Sequence, residues 1–83
     1  MQSLSHHERI VAGTRQALRE INQGHAKRVY VAMDAQERII NEVRDAALKA
    51  AVPLEEISDM TTLGRKCRIQ VACAVAVLTV TEG

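Results

Sequence analysis

Residues 13–19, Gly13-Thr14-Arg15-Gln16-Ala17-Leu18-Arg19, concentrate the donor chemistry of this chain in one short element. Gly13 permits backbone angles that other residues avoid. Thr14 is placed to act as an N-cap, accepting from a backbone N–H two or three residues on. Arg15 and Arg19 are four apart and share a helix face, and Gln16 is three from Arg19. Ala17, Leu18 and Ile21 supply the opposite, apolar stripe. The element therefore offers free helix-start N–H groups, two guanidiniums and an amide, a set suited to an anion and to the acceptor edge of a base. The plain alternative is an amphipathic surface helix whose arginines are solvated.

Around this element lies a chain of 83 residues, long enough for one domain. Apolar residues make up 47% of it, which supplies a core and argues against wholesale disorder. That core has to be aliphatic, because Tyr30 is the only aromatic residue. Single-strand binders of the OB or RRM type stack bases on several exposed rings, so they are excluded. Cys67 and Cys73 form no C-x-x-C, and His6, His7 and His25 are scattered, so no metal site is expected. The cysteine usage fits a reduced, cytoplasmic chain. Residues 1–5 are polar and no apolar h-region follows, so no signal peptide is expected. The longest apolar run, residues 71–78, is too short to span a bilayer.

Net charge is only +1, but its distribution is uneven. Residues 9–28 hold five bases against Glu20, residues 34–59 hold seven acids against three bases, and Arg65, Lys66 and Arg68 follow with no acid among them. If the fold brings the two basic segments together, one face is basic and the back acidic; the alternative is a mixed, solvated surface.

The elements that must position these residues follow from periodicity and punctuation. Ser5-His6-His7-Glu8 matches a capping box, predicting a first helix to about Ala12 with Ile10 and Val11 turned inward. Gly13 ends it, and a second helix runs to about Gln23 with Gly24 as its C-cap glycine. Residues 29–33 read as a strand covered on both faces. Asp34 with Glu37 signals a cap, and Ile39, Ile40, Val43, Ala46, Ala47 and Ala50 follow the 3.6 period of a helix over 35–50. Pro53 ends that helix and introduces an edge strand at 54–57. Thr61 or Thr62 caps a fourth helix to about Cys67. A loop at 69–72 leads into a buried strand at 73–80. Strands separated by helices favour parallel pairing, which predicts a three-layer α/β/α sandwich around a small mixed sheet.

Gly13-Thr14-Arg15-Gln16, Arg19, the Val29-Tyr30-Val31-Ala32-Met33-Asp34-Ala35 run, and Leu63-Gly64-Arg65-Lys66-Cys67 followed by Ile69-Gln70-Val71-Ala72 together resemble the kink-turn RNA-binding ribosomal proteins of the L7Ae type, in their short bacterial form. The resemblance covers about residues 10–80. It implies an α/β/α sandwich that binds a kinked RNA duplex, where tandem sheared G·A pairs follow a short bulge. By that resemblance Arg15 and Gln16 face the guanines of those pairs, and Arg19 fills a usual basic position. Gly13 and Thr14 open the element, and the aliphatic loop Ile69-Gln70-Val71-Ala72 covers extruded bulge bases. Where the family often has Gly before that loop this chain has Arg68, which either stiffens the loop or adds a phosphate contact. Read from residues alone, Ile69 and Val71 are better taken as the first residues of the last strand; the resemblance favours the loop. Lys27 and Arg28, with Arg65 and Lys66, are candidates for phosphate contacts or a solvated rim.

The chemistry is coherent, since an arginine fork can take both guanine O6 and N7 once a kink has opened the deep groove of A-form RNA. No nucleophile–base pair, phosphate-cradling glycine loop or acid/base carboxylate pair is present, so the expected protein is no enzyme. It is expected to need no cofactor, to be monomeric when free and to have no membrane partner. The competing reading is a small α/β protein–protein interaction module without RNA affinity.

Overall fold

Val29 and Val31 pack on one face of a sheet while Tyr30 and Ala32 pack on the other, as the two-residue period of a strand requires. The sheet, in a computed structural model that describes residues 6–67 and 72–82, has four strands. They are β1 (His6–Ala12), β2 (Ala26–Ala32), β3 (Leu54–Ile57) and β4 (Val75–Glu82), in the order β1-β4-β2-β3. Helices α1 (Thr14–Asn22) and α2 (Glu37–Lys49) cover one face, and α3 (Met60–Lys66) the other. The three-layer sandwich and its mixed sheet are as expected from the alternation of elements.

The first element is a correction. Residues 6–12 form a strand, antiparallel to β4, with Ile10 opposite Leu78, Val11 opposite Val77 and Ala12 opposite Ala76. Glu8 of the apparent capping box therefore lies in a strand, and Ser5 falls outside the described residues. Helix and strand were hard to separate here because an edge strand is partly solvated: Glu8, Arg9 and Ile10 are exposed, while Val11 and Ala12 pack against the two cores.

Strand direction is the second correction. β1, β2 and β3 all run the same way, but β4 lies antiparallel between β1 and β2, so only β2 and β3 pair in parallel. The edge strand after Pro53 is as expected, and Pro53 hands its carbonyl to the Val29 N–H at 2.9 Å.

The helix ends differ in detail from the sequence signals. Gly13, not Thr14, is the N-cap of α1, with φ 106° and no side-chain cap. Gly24, with φ 78°, follows the last turn as expected. α2 begins after Gln36 rather than at an Asp34 cap, and Asp34 instead accepts from the Met60 N–H at 2.9 Å. At its other end Ala51 adopts φ 56° while Val52 N–H reaches back to the Ala47 carbonyl at 2.9 Å, which closes α2 before Pro53. α3 is capped by Asp59, whose carboxylate accepts from Thr62 N–H at 2.7 Å, not by Thr61 or Thr62.

Two aliphatic clusters hold the layers. Ala17 and Ile21 of α1 meet Ile40, Val43 and Ala47 of α2 over Val29, Val31, Val75 and Val77. On the other face Leu63 packs with Tyr30, Ala32, Ile57, Ala76 and the two cysteines. Burial pushes the Cys67 and Cys73 thiols above their ordinary value, so both stay protonated and act as small apolar fillers.

Leu63→Ala, at a fully buried site, is expected to cost about 2–5 kcal/mol in urea unfolding. Leu48→Ala, at a position 79% exposed, should stay within about 0.5 kcal/mol of wild type. The backbone N–H of Thr62 holds the Asp59 carboxyl below its ordinary value of 3.8. A lowered acid contributes stability above the unfolded value and loses it as pH falls through the folded one. The hydrogen-exchange protection factor of the Thr62 amide should therefore be flat above about pH 4 and drop below it, while Asp59→Asn should remove the pH dependence. At Gly13 a Cβ would meet nothing within 4 Å, so its cost is conformational alone. Gly13→Ala should destabilise by about 1–3 kcal/mol in the same urea assay.

Candidate nucleic-acid interface

Gly13 sits where β1 turns into α1, and its N–H donates to the Val75 carbonyl at 2.9 Å. Its own carbonyl accepts from Ala17 N–H at 2.8 Å and starts the helix ladder. The start of α1 carries no side-chain cap and no acid in its first turn, so its leading N–H groups are left for solvent or an anion. Residues advance by about 100° around a helix. With Ala17 and Ile21 buried, Arg15, Arg19 and Gln16 therefore fan across the outward side, and all three are exposed. Thr14 is half-buried beside them.

The segment entering β4 lies against this helix start. Val75 is the residue bonded to Gly13, and the Ala74 carbonyl accepts from Ala32 N–H at 2.8 Å. Ala72, just before them, is exposed, and Cys73 N–H reaches the Met60 carbonyl at 3.3 Å. Arg68, Ile69, Gln70 and Val71 lie outside the described residues. Gly13, Ala32 and Ile57, whose carbonyl accepts from Met33 N–H at 2.8 Å, share the carboxyl end of the three co-directional strands. In open α/β sheets that is the end where ligands bind.

Lys27 and Arg28 are placed elsewhere. Ala26 opens β2 opposite Thr79 and Arg28 lies opposite Leu78, with Lys27 in the β-bulge between them and without a partner in the ladder. Val75 to Thr79 is about 13 Å along β4, so these two side chains start at the other end of the sheet. Arg28 also shares the α3 face with Tyr30 and lies 3.6 Å from Glu55. Lys66 reaches the same carboxylate at 3.8 Å and stands 5.6 Å from the Tyr30 ring centroid. Two of the candidate phosphate-binding cations are thus drawn to an acid, and the basic and acidic segments interleave on this side rather than separating. Among the described residues, the ion pairs engage His25, Arg28, Arg44, Lys49 and Lys66, and none engages Arg15, Arg19 or Arg38.

Arg38 went unnoticed in the sequence. It lines a cleft of about 490 Å³ between α1 and α2, with Thr14, Arg15, Leu18, Ile39 and Glu42. Only the packing of α1 on α2 brings it opposite Arg15; its i,i+4 relation to Glu42 was the one local signal. Among the described residues no three His, Cys, Asp or Glu side chains gather as a metal site, and no helix is long and apolar enough to cross a membrane.

The comparisons with known proteins bear on the family and the fold. Residues 1–83 match the profile of the Ribosomal protein L7Ae/L30e/S12e/Gadd45 family. An "RNA-binding protein" from Geobacillus thermodenitrificans is 46% identical over 71 residues, 84% of this chain and 87% of that one. "RNA-binding protein YbxF" from Geobacillus stearothermophilus shows the same identity and coverage. The solved "15.5kD RNA binding protein" of Giardia lamblia superposes with a TM-score of 0.78 at 32% identity, over 86% of this chain. This chain spans 60% of that longer protein. These names describe RNA binding and no enzymatic activity. A profile match along the whole length, and relatives this similar over most of it, make the chain a member of the ribosomal protein L7Ae/L30e/S12e/Gadd45 family.

Proposed function

We propose that this member of the L7Ae family is a non-catalytic RNA-binding protein that recognises and stabilises kink-turn RNA. The observation that carries the reading is the start of α1. It is uncapped, free of acids, and exposes Arg15, Gln16 and Arg19 beside the segment that enters β4. Arg15 takes the O6 and N7 acceptors of a guanine in the sheared pairs, and Gln16 takes the neighbouring edge. The helix-start N–H groups of Thr14 and its neighbours hold a phosphate, and Arg19 adds a second charge one turn on. The aliphatic segment of residues 69–72 covers the bulge bases by contact rather than stacking, with Arg68 at its start. Lys27 and Arg28, at the far end of the sheet, serve a more distant part of a long duplex or none. Free kink-turn RNA flexes between extended and bent forms, and a protein that binds only the bent form shifts that equilibrium. The protein acts as a monomer in the cytoplasm, on ribosomal RNA or a regulatory leader, and needs no cofactor.

The test is a titration of a kink-turn duplex against one whose G·A pairs are replaced by Watson–Crick pairs. Tighter binding of the first is expected, and equal affinities would remove the kink-turn reading. Arg15→Ala should cost about 1–3 kcal/mol on the kink-turn duplex and narrow the gap between the two RNAs. An unchanged gap would show that Arg15 does not read the guanine.

A further inference from the structure

The cleft between α1 and α2 is not accounted for by a contact confined to the start of α1. Its floor is aliphatic, from Leu18 and Ile39, and its rims carry Arg15 on one helix and Arg38 on the other. Packed helices lie about 8–10 Å apart, so two long side chains on facing rims can reach the same space between them. Among the described residues neither guanidinium has a carboxylate partner. Thr14 closes the cleft at the uncapped end of α1, where backbone N–H groups add further positive potential. Glu42 stands one turn beyond Arg38 on the same face of α2 and places a negative charge at the other end. The cleft is therefore graded, attractive to an anion near Thr14, Arg15 and Arg38 and repulsive at Glu42.

We propose that this cleft is a second RNA subsite, which seats one phosphodiester of the strand leaving the guanine contact, with Arg38 as its anchor on α2. The proposal rests on the RNA reading of the α1 start and extends the RNA footprint from one helix to two. Charge complementarity carries it: the Arg38 guanidinium has no carboxylate partner among the described residues, and Arg15, whose fork reads the guanine, adds positive potential from the other side of an apolar floor, which suits a phosphate flanked by a sugar. A guanidinium fork binds such a phosphate by two parallel hydrogen bonds. The floor, having no rings, touches the sugar rather than stacking a base. Glu42 limits the subsite to a single phosphate, because the next one along would meet its carboxylate.

The experiment measures affinity for the same kink-turn duplex and its Watson–Crick control at several salt concentrations. Four proteins are compared: wild type, Arg38→Ala, Glu42→Gln and Arg44→Ala. Arg38 is exposed, so its truncation leaves the fold intact, which circular dichroism verifies. Arg38→Ala is expected to weaken binding several-fold and to make the slope of log affinity against log salt shallower by about 0.7–0.9, one phosphate's share of counterion release. Its discrimination between the two RNAs should stay at the wild-type level, because phosphate contacts carry no sequence information. Glu42→Gln is expected to tighten binding by removing the repulsive carboxylate. Arg44→Ala makes the same change in net charge from a residue held by Glu56 at 2.7 Å, outside the cleft, and should leave the slope unchanged.

An unaltered slope in Arg38→Ala, with wild type still discriminating, overturns the second subsite and leaves the kink-turn reading standing. Equal effects of Arg38→Ala and Arg44→Ala reduce the result to net charge and overturn it as well. Weaker binding by Glu42→Gln shows that the carboxylate accepts from the ligand, and replaces the phosphate with a base or sugar donor. Wild type that binds both RNAs equally removes the kink-turn reading itself, and wild type that binds neither removes both proposals.

Discussion

One backbone hydrogen bond, from Gly13 N–H to the Val75 carbonyl, joins the two ends of this chain at the point where the candidate site begins. It forms only if β4 lies between β1 and β2, since Val75 is the residue that also faces Val31 across the ladder. It also needs the chain to leave β1 with φ 106°, which Gly13 accepts without a steric penalty. The space around Gly13 is open, so the requirement is one of backbone angle, not room. Once that bond is made, the first turn of α1 has no freedom to swing: Ala17 and Ile21 are drawn onto Val75, Val77 and their neighbours, and Arg15 and Gln16 are left outward.

The two sheet faces are built to different depths. Val75 and Val77 of β4 present branched side chains to α1 and α2, while Ala76 presents a methyl group to α3. A single short helix suffices on the alanine face because Leu63 and Tyr30 fill it, with the thiols of Cys67 and Cys73 closing the gap. Acids of the middle of the chain serve both faces: Glu55, on the α3 side, meets Arg28 and Lys66, while Glu56, on the other face of β3, meets Arg44 of α2. Such exposed pairs contribute about 0–1 kcal/mol each, so their effect is less on stability than on which cations remain available. Arg15, Arg19 and Arg38, which lie on or face α1, are among the arginines that no described carboxylate engages.

How much of this was legible in the sequence depended on how local each determinant is. The 3.6 period of Ile40, Val43 and Ala47 exposed α2, and Pro53 with the following apolar residues exposed β3, because both signals lie within a few residues of their effect. β1 was hidden since its partner lies some seventy residues away, at Leu78 and Val77, and Glu8, Arg9 and Ile10 face water. The direction of β4 was hidden for the same reason. Caps were misread where two candidates stood together: Thr14 beside Gly13, and Thr61 and Thr62 beside Asp59, with the residue that has the right backbone geometry winning. The donors of α1 were legible as a set. The segregation of Lys27 and Arg28 to the other end of the sheet, and the approach of Arg38 to Arg15, were not, because both follow from strand order and helix packing rather than from spacing.

The absence of stacking rings shapes how such a site must discriminate. Ring platforms gain 1–3 kcal/mol per base with little regard to sequence. A surface of arginine forks, a glutamine amide and aliphatic side chains gains little from an arbitrary base and depends instead on acceptors arriving in the right geometry. Each long side chain that orders on binding costs about 0.5–1.5 kcal/mol, so Arg15, Arg19 and Arg38 oppose association unless their forks are filled. The helix-start N–H groups carry no such cost, being fixed already by the Gly13 junction. A site of the kind proposed, with a rigid backbone to hold a phosphate and side chains that reward only a correct ligand, would separate RNAs by shape more sharply than by charge. That balance suits a protein whose net charge is +1, too small to hold nucleic acid by general electrostatic attraction.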